Sequence, residues 1–237
     1  MREVFTQEWV KIIASDRAGG VSADAYESLN LGFHVGDKPL NVEKNREIFA
    51  SYFDVSVKEL CFMEQIHGSL ATMAKKEQTL KTDALITQEK NLVLCVMVAD
   101  CVPVILYDND KKAAAAVHAG RKGIFSDIIS NTVLAMKNSF KSSSKDIGAY
   151  IGVSIRSCCY EIQGEILNEA KDRFSYALSG KEGRHFLSLQ TIVKKQLHEN
   201  GVVNIIDENV CSCCDKNYFS YRREGVCGRF AVGVKIV

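Results

Sequence analysis

Four almost uninterrupted apolar runs constrain this chain most: "LVLCVMV" (92–98), "PVILYD" (103–108), "AAAAVH" (113–118) and "FAVGVKIV" (230–237). A half-exposed strand alternates apolar and polar residues, whereas continuous runs like these bury both faces and require helices packed outside the sheets. "GAYIGV" (148–153) and "VVNII" (202–206) are further strand candidates. Other segments carry helical periodicity instead. "NVEKNREIFASYF" (41–53) offers Asn41 as an N-cap and sets Ile48, Phe49, Tyr52 and Phe53 on one face. "GIFSDIISNTVLAMKNSF" (123–140), "EILNEAKDRF" (165–174) and "LSLQTIVKKQLHENG" (187–201) read as three more helices, the last stopped by Gly201. The mixture predicts an α and β protein forming one domain over 1–237, with the strand order open. "KSSSKD" (141–146) reads as a surface loop between a helix and a strand.

The formal net charge of +1 creates no field that would steer the chain to nucleic acid or to an anionic membrane. No stretch approaches the roughly 20 apolar residues of a membrane span, and "MREVFTQEWVKII" lacks an apolar core followed by a cleavage site. A cytoplasmic protein with small-molecule partners is therefore expected. The nine cysteines are an odd number in a chain of this kind, so reduced thiols are the default.

Chemistry concentrates in "ADCVPVILYDNDKKAAAAVHAGRKG" (99–123). The turn "DNDKK" is short enough for a hairpin, which would bring Asp100 and Cys101 to the same edge as His118. A thiolate beside an imidazole is either an activated nucleophile or part of a zinc site with an open position. A third ligand is then required, and His67 in "FMEQIHGSLA" is the best candidate. His34 in "SLNLGFHVGDKP" lies in a glycine-punctuated loop that could line a pocket. His185 sits in a charged loop, and His198 falls on the polar side of its helix. The spacing itself is uninformative, since 34 residues separate His67 from Cys101 and 17 separate Cys101 from His118.

"DRAGGVSADAYESLNLGFHVGDKPLNVEKNRE", "EQIHG", "TDALIT", "ADCVPVILYD", "VHAGRKG", "IGVSIRSCCYEI" and "FSYRREGVCGR" occur in the order expected of the YfiH-like proteins, also called the laccase-domain or polyphenol oxidase family. The resemblance runs nearly end to end. It implies a single α+β domain of mixed sheets with helices outside, and a metal site of His67, Cys101 and His118. It also implies a zinc-dependent purine nucleoside enzyme that phosphorolyses adenosine, guanosine, inosine and methylthioadenosine and deaminates adenosine. By motif position Arg46 is assigned to phosphate or substrate, and Asn30, Gln65 and His34 to the pocket. Asp83 and Asp100 would orient ligands or act as acid and base alongside Cys101. Arg17, Arg222, Arg223 and Arg229 match family motifs too, but packing salt bridges explain them as well, and no catalytic role is expected of them.

Some positions depart from the family pattern. H-A-G-W-R-G reads "HAGRKG", with Arg121 in place of an aromatic and Lys122 in place of an arginine, and Val153 and Arg156 replace a proline and a glycine. Three other readings compete with the nucleoside enzyme. A copper-dependent polyphenol oxidase fits poorly, because a multicopper centre needs paired histidines and this chain has five, none as H-x-H. A cell-wall precursor editing hydrolase would use Cys101 as nucleophile. A non-catalytic zinc-binding protein could add a second site from Cys211, Cys213, Cys214 and Cys227, but the C-x-C-C spacing is cramped and buried or incidental thiols are expected.

Overall fold

The apolar runs are strands buried on both faces because one face meets helices and the other meets a second sheet. This is seen in the computed structural model, which describes residues 1–237. In the strand Val93–Val98, Val93, Cys95 and Met97 pack toward the helix Pro39–Ser51, while Leu94, Val96 and Val98 point into a core between the sheets. Phe230–Ile236 divides in the same way, with Phe230, Val232, Val234 and Ile236 inward. From the opposite sheet, Ile105 and Tyr107 of Val102–Asp108 and Ala114 and Ala116 of Ala113–Ala119 fill that same core. Their neighbours Val104, Leu106, Ala115 and Val117 face outward to the helices Ile128–Phe140 and Leu189–Glu199. The layers are therefore helix, sheet, sheet, helices, an α+β arrangement.

Each large sheet has six strands. The first runs Arg2–Gln7, Val10–Ala14, Phe230–Ile236, Val93–Val98, Leu60–Glu64, Leu80–Lys81. The second runs Asn204–Asp207, Ile147–Ile151, Val102–Asp108, Ala113–Ala119, Ala84–Thr87, Ala71–Met73. Both are mixed: Leu60–Glu64 is parallel to Val93–Val98 and Ile147–Ile151 is parallel to Asn204–Asp207, while most other neighbours are antiparallel. A small third sheet of Glu161–Ile162, Arg184–Leu187 and Leu178–Lys181 adds Ile162 and Leu187 to the core on the outer side of the second sheet. No helix is long and apolar enough to cross a membrane.

Several local expectations change. The first helix starts at Pro39 with Lys38 as N-cap, so Asn41 lies in its first turn and does not cap it. Proline has its torsion preset for that first position and has no N–H to leave unpaired there. The segment after His118 is two helices, Arg121–Phe125 and Ile128–Phe140, broken at Asp127 where φ is 61°. The Gln196 amide donates to Ile124 O and to Asp127 Oδ1, which satisfies the acceptors at that break. His185, expected in a charged loop, belongs to the strand Arg184–Leu187. The strand expected to open at Pro103 begins one residue earlier, at Val102. The "KSSSKD" segment does join a helix to a strand, Ile128–Phe140 to Ile147–Ile151.

Candidate active site

Two connections cross from the first sheet to the second at one end of the sandwich. Leu60–Glu64 and Val93–Val98 are parallel neighbours, so the chain leaves both at the same end. The first crossing carries His67 toward Ala71–Met73, and the second carries Asp100 and Cys101 into Val102–Asp108. Both turns are sharp, with φ of 58° at His67 and 94° at Asp100, backbone settings uncommon for residues with a Cβ. The antiparallel hairpin pairs Val102 with Ala119 and Pro103 with His118, which sets His118 beside the second crossing. His67, Cys101 and His118 thus converge, their ligand atoms all within 4.8 Å of one another. The two imidazoles meet edge to face with centroids 4.8 Å apart.

Asp83 organises this group from behind. It precedes the strand Ala84–Thr87, which pairs with Ala113–Ala119, and it is fully buried. Its Oδ1 accepts the His67 N–H at 2.9 Å and lies 2.8 Å from His118 Nδ1, while Oδ2 accepts the Gly68 N–H at 2.6 Å. Burial would raise this carboxyl, but the bonds from His118 and from the two backbone N–H groups outweigh it and hold it below its ordinary value. With Nδ1 engaged, His118 presents Nε2 to Cys101. Burial would push the Cys101 thiol up, but His118 and His67 overcome this and bring it down to about 6. His118 moves the opposite way: burial disfavours its charge, yet Cys101 and Asp83 push it up to about 9. The two shifts favour the thiolate and imidazolium form of the pair, and a metal ion at the same point would take the proton's place on the imidazole.

Two neutral imidazoles and a thiolate form a donor set suited to zinc, with copper a chemical alternative. The requirement for a small residue at position 120 is geometric. A Cβ on Gly120 would come within 3.0 Å of the His67 ring, 3.3 Å of His118 and 3.4 Å of Cys101 Sγ.

The three donors lie on the floor of a cleft of about 600 Å³, whose walls include His34, Met97, Tyr160, Tyr221, Arg222 and Arg229. The other residues singled out from the sequence have separate placements. Asp100 reaches away from Cys101 and accepts from Ser212 Oγ at 2.7 Å and from the Arg222 N–H at 2.6 Å. Gln65 bonds both ways with the backbone of Met97. Asn30 is buried and does not line the cleft, contrary to expectation; its Oδ1 accepts the N–H groups of Gly32 and Arg229. Arg46 is neither a solvated helix charge nor a lining residue. Its guanidinium stacks between Phe33 and Phe62, 4.4 and 3.8 Å from the ring centroids, and Nε donates to Leu31 O. Burial lowers it to about 10, where it still carries its charge at neutral pH.

Packing salt bridges, one explanation the sequence allows for Arg222 and Arg229, do not form: both line the cleft and neither makes an ion pair with a carboxylate. Arg222 donates to the carbonyls of Cys159 and Glu161, and Arg229 to those of Cys227 and Gly228. Arg17 and Arg223 do fit the packing reading, since each bonds to Glu224. The departures have structural settings. Arg121 and Lys122 border a second hollow beside Cys101 and Tyr160, Val153 is buried between the sheets, and Arg156 pairs with Asp207 at 2.5 Å. His185 and His198 lie away from the cleft, and His198 is exposed as expected.

Residues 11–237 match the family model described as multi-copper polyphenol oxidoreductase laccase. A purine nucleoside phosphorylase of Corynebacterium glutamicum is 38% identical over 229 residues, covering 94% of this chain and 92% of the relative. The purine nucleoside phosphorylase YfiH of Escherichia coli is 30% identical, covering 98% of each chain. Among solved structures, the hypothetical protein YfiH of Bacillus licheniformis superposes with a TM-score of 0.91 at 28% identity, covering 96% of this chain and 93% of that one. The chain therefore belongs to the multi-copper polyphenol oxidoreductase laccase family, the YfiH-like proteins.

Proposed function

We propose that this chain is a zinc-dependent purine nucleoside phosphorylase acting on adenosine, inosine, guanosine and methylthioadenosine, with a secondary capacity to deaminate adenosine. The observation that carries this reading is the meeting of two features in one cleft: a three-donor metal set at the floor, and arginines without carboxylate partners in the wall. An unpaired guanidinium at a cleft wall has donors to spare for phosphate oxygens. The names carried by the relatives support the same substrate class.

In phosphorolysis a phosphate oxygen bonds to the ribose C1′ as the C1′–N9 bond breaks, and the bond's electron pair leaves with the purine, which takes up the proton that the hydrogen phosphate ion gives up. The products are ribose 1-phosphate and free base. Arg229 and Arg222 would hold the phosphate, with the Arg46 charge behind His34. Burial and the nearby Arg229 and Arg46 push the His34 imidazole down, which favours its neutral form, and a neutral imidazole beside the phosphate would relay the phosphate proton toward the purine. His67, Cys101 and His118 would hold zinc, which supplies Lewis acidity toward the purine and toward water. Asp83 fixes the His118 ring, Gln65 fixes the Met97 edge of the cleft, and Asp100 fixes the Arg222 backbone.

The test is metal content together with phosphate-dependent release of hypoxanthine from inosine. Cys101→Ser is expected to lose the metal of this site and to abolish base release. Copper with phenol oxidation, or turnover of a cell-wall precursor without nucleoside cleavage, would overturn the reading.

A further inference from the structure

The thiols of the carboxyl-terminal segment do not behave as one group. Cys227 is buried in the core between the sheets, as expected for a structural thiol, so a set of Cys211, Cys213, Cys214 and Cys227 does not assemble. Cys211 and Cys214 instead meet Cys158 and Cys159 from a different loop, with all four sulfurs within 4.8 Å of one another. Sγ of Cys214 lies 3.3 Å from that of Cys159 and 3.7 Å from that of Cys158. We infer that Cys158, Cys159, Cys211 and Cys214 form a second, closed site for a thiophilic divalent cation, zinc, which clamps two loops into one wall of the cleft.

Four thiolates around tetrahedral zinc, at metal–sulfur distances of about 2.3 Å, lie about 3.8 Å from each other, close to the spacings seen here. Burial of apolar thiols does not explain the cluster, because Cys158 and Cys214 are exposed and Cys159 and Cys211 only half-buried. The topology explains how residues so distant in sequence meet. Ile147–Ile151 and Asn204–Asp207 are adjacent parallel strands, so the loops that follow them leave the sheet side by side. The ligands are preset by contacts independent of any cation. Arg156 pairs with Asp207 across the two loops, Ser212 N–H donates to Ser154 O at 3.1 Å, and Arg223 holds the carbonyls of Ser212 and Cys213. The backbone N–H of Arg156 also donates to Cys211 Sγ at 3.4 Å, a contact suited to a thiolate. Each cysteine gives its proton to solvent on binding, and four protein donors leave no coordination position for substrate. This is a structural site, unlike the three-donor group at the cleft floor.

The clamp adjoins the cleft at named points. Tyr160, next to Cys159, lines the cleft, and Arg222 donates to Cys159 O at 2.9 Å. Ser212, between two of the cysteines, donates to Asp100. Loss of the cation should therefore loosen Tyr160, Arg222 and the Asp100 turn together.

The test begins with zinc analysis of the full-length chain purified under reducing conditions. Cys158→Ser/Cys214→Ser should contain about one equivalent of zinc fewer than the unaltered protein. Cys101→Ser should keep this equivalent, which separates the clamp from the cleft-floor site. Cobalt-substituted Cys101→Ser should retain an intense sulfur-to-cobalt charge-transfer band. If the double variant fails to fold, N-ethylmaleimide labelling of the unaltered protein decides. Exposed Cys158 and Cys214 should resist labelling until a chelator strips the metal, and then react. Equal zinc in the double variant and the unaltered protein, immediate labelling of Cys158 and Cys214, or a Cys159–Cys214 disulfide found by non-reducing peptide mapping would each overturn the inference.

Discussion

Asp83 shows how much one carboxylate can govern. It faces His118 with one oxygen and anchors the loop of His67 through the backbone with both, so it sets the geometry of two candidate metal donors without facing the cleft. Asp83→Asn should weaken zinc binding by roughly tenfold to a hundredfold, the range typical for partners of ligating histidines, as measured by competition with a chromogenic chelator. His34 gives a second residue-scale expectation. Its pKa is held down by burial and by Arg229 and Arg46, so a phosphate dianion bound beside it would favour the imidazolium and raise it. A nuclear magnetic resonance titration of His34 with and without inorganic phosphate checks this, and an unchanged pKa would remove His34 from the proposed phosphate site. At this scale the Cys101 and His118 pairing was legible, because a short turn between two apolar runs forces their ends together. The roles of Arg222 and Arg229 were not, because an arginine's partners lie elsewhere in the chain.

At the scale of elements, the loops that carry the site are tied down by polar contacts between segments distant in sequence. Asp207, at the end of Asn204–Asp207, accepts from Arg156 and from Lys194 of the helix Leu189–Glu199. Burial would raise its carboxyl, but these two cations outweigh it and hold it at about 2. Relative to about 3.9 in an unfolded chain, this pairing contributes about 2 kcal/mol. A depressed folded pKa means that the contribution is present above about pH 4 and is lost as pH falls through about 2. Urea unfolding of Asp207→Asn should accordingly show a deficit near pH 7 that narrows at pH 3. The helix and strand assignments behaved unevenly for a related reason. Long apolar runs named their strands, whereas the break at Asp127 is bridged by Gln196, which arrives from another helix and leaves no local mark.

At the scale of the whole molecule, the candidate site exists because two sheets are held face to face while the chain passes between them. Ile105 is fully buried in the core that separates them, whereas Val133 packs on the outer side of the second sheet. Ile105→Ala should cost about 2–5 kcal/mol in denaturant unfolding and also weaken zinc binding. Val133→Ala should reduce stability and leave zinc affinity unchanged, since it does not alter the separation of the sheets. Equal zinc affinity in the two variants would show that the inter-sheet core does not govern the site. The sequence by itself determined the strand-forming runs, their burial on both faces and the Cys101 and His118 hairpin, because these follow from side-chain periodicity and turn length within a few residues. Only the tertiary structure decided that a second sheet covers the inner faces, that Asp83 stands behind both histidines, and that Cys158 and Cys159 meet Cys211 and Cys214. Those meetings depend on strand order and on parallel neighbours whose loops emerge together, and no local pattern of residues encodes which distant strand will lie alongside.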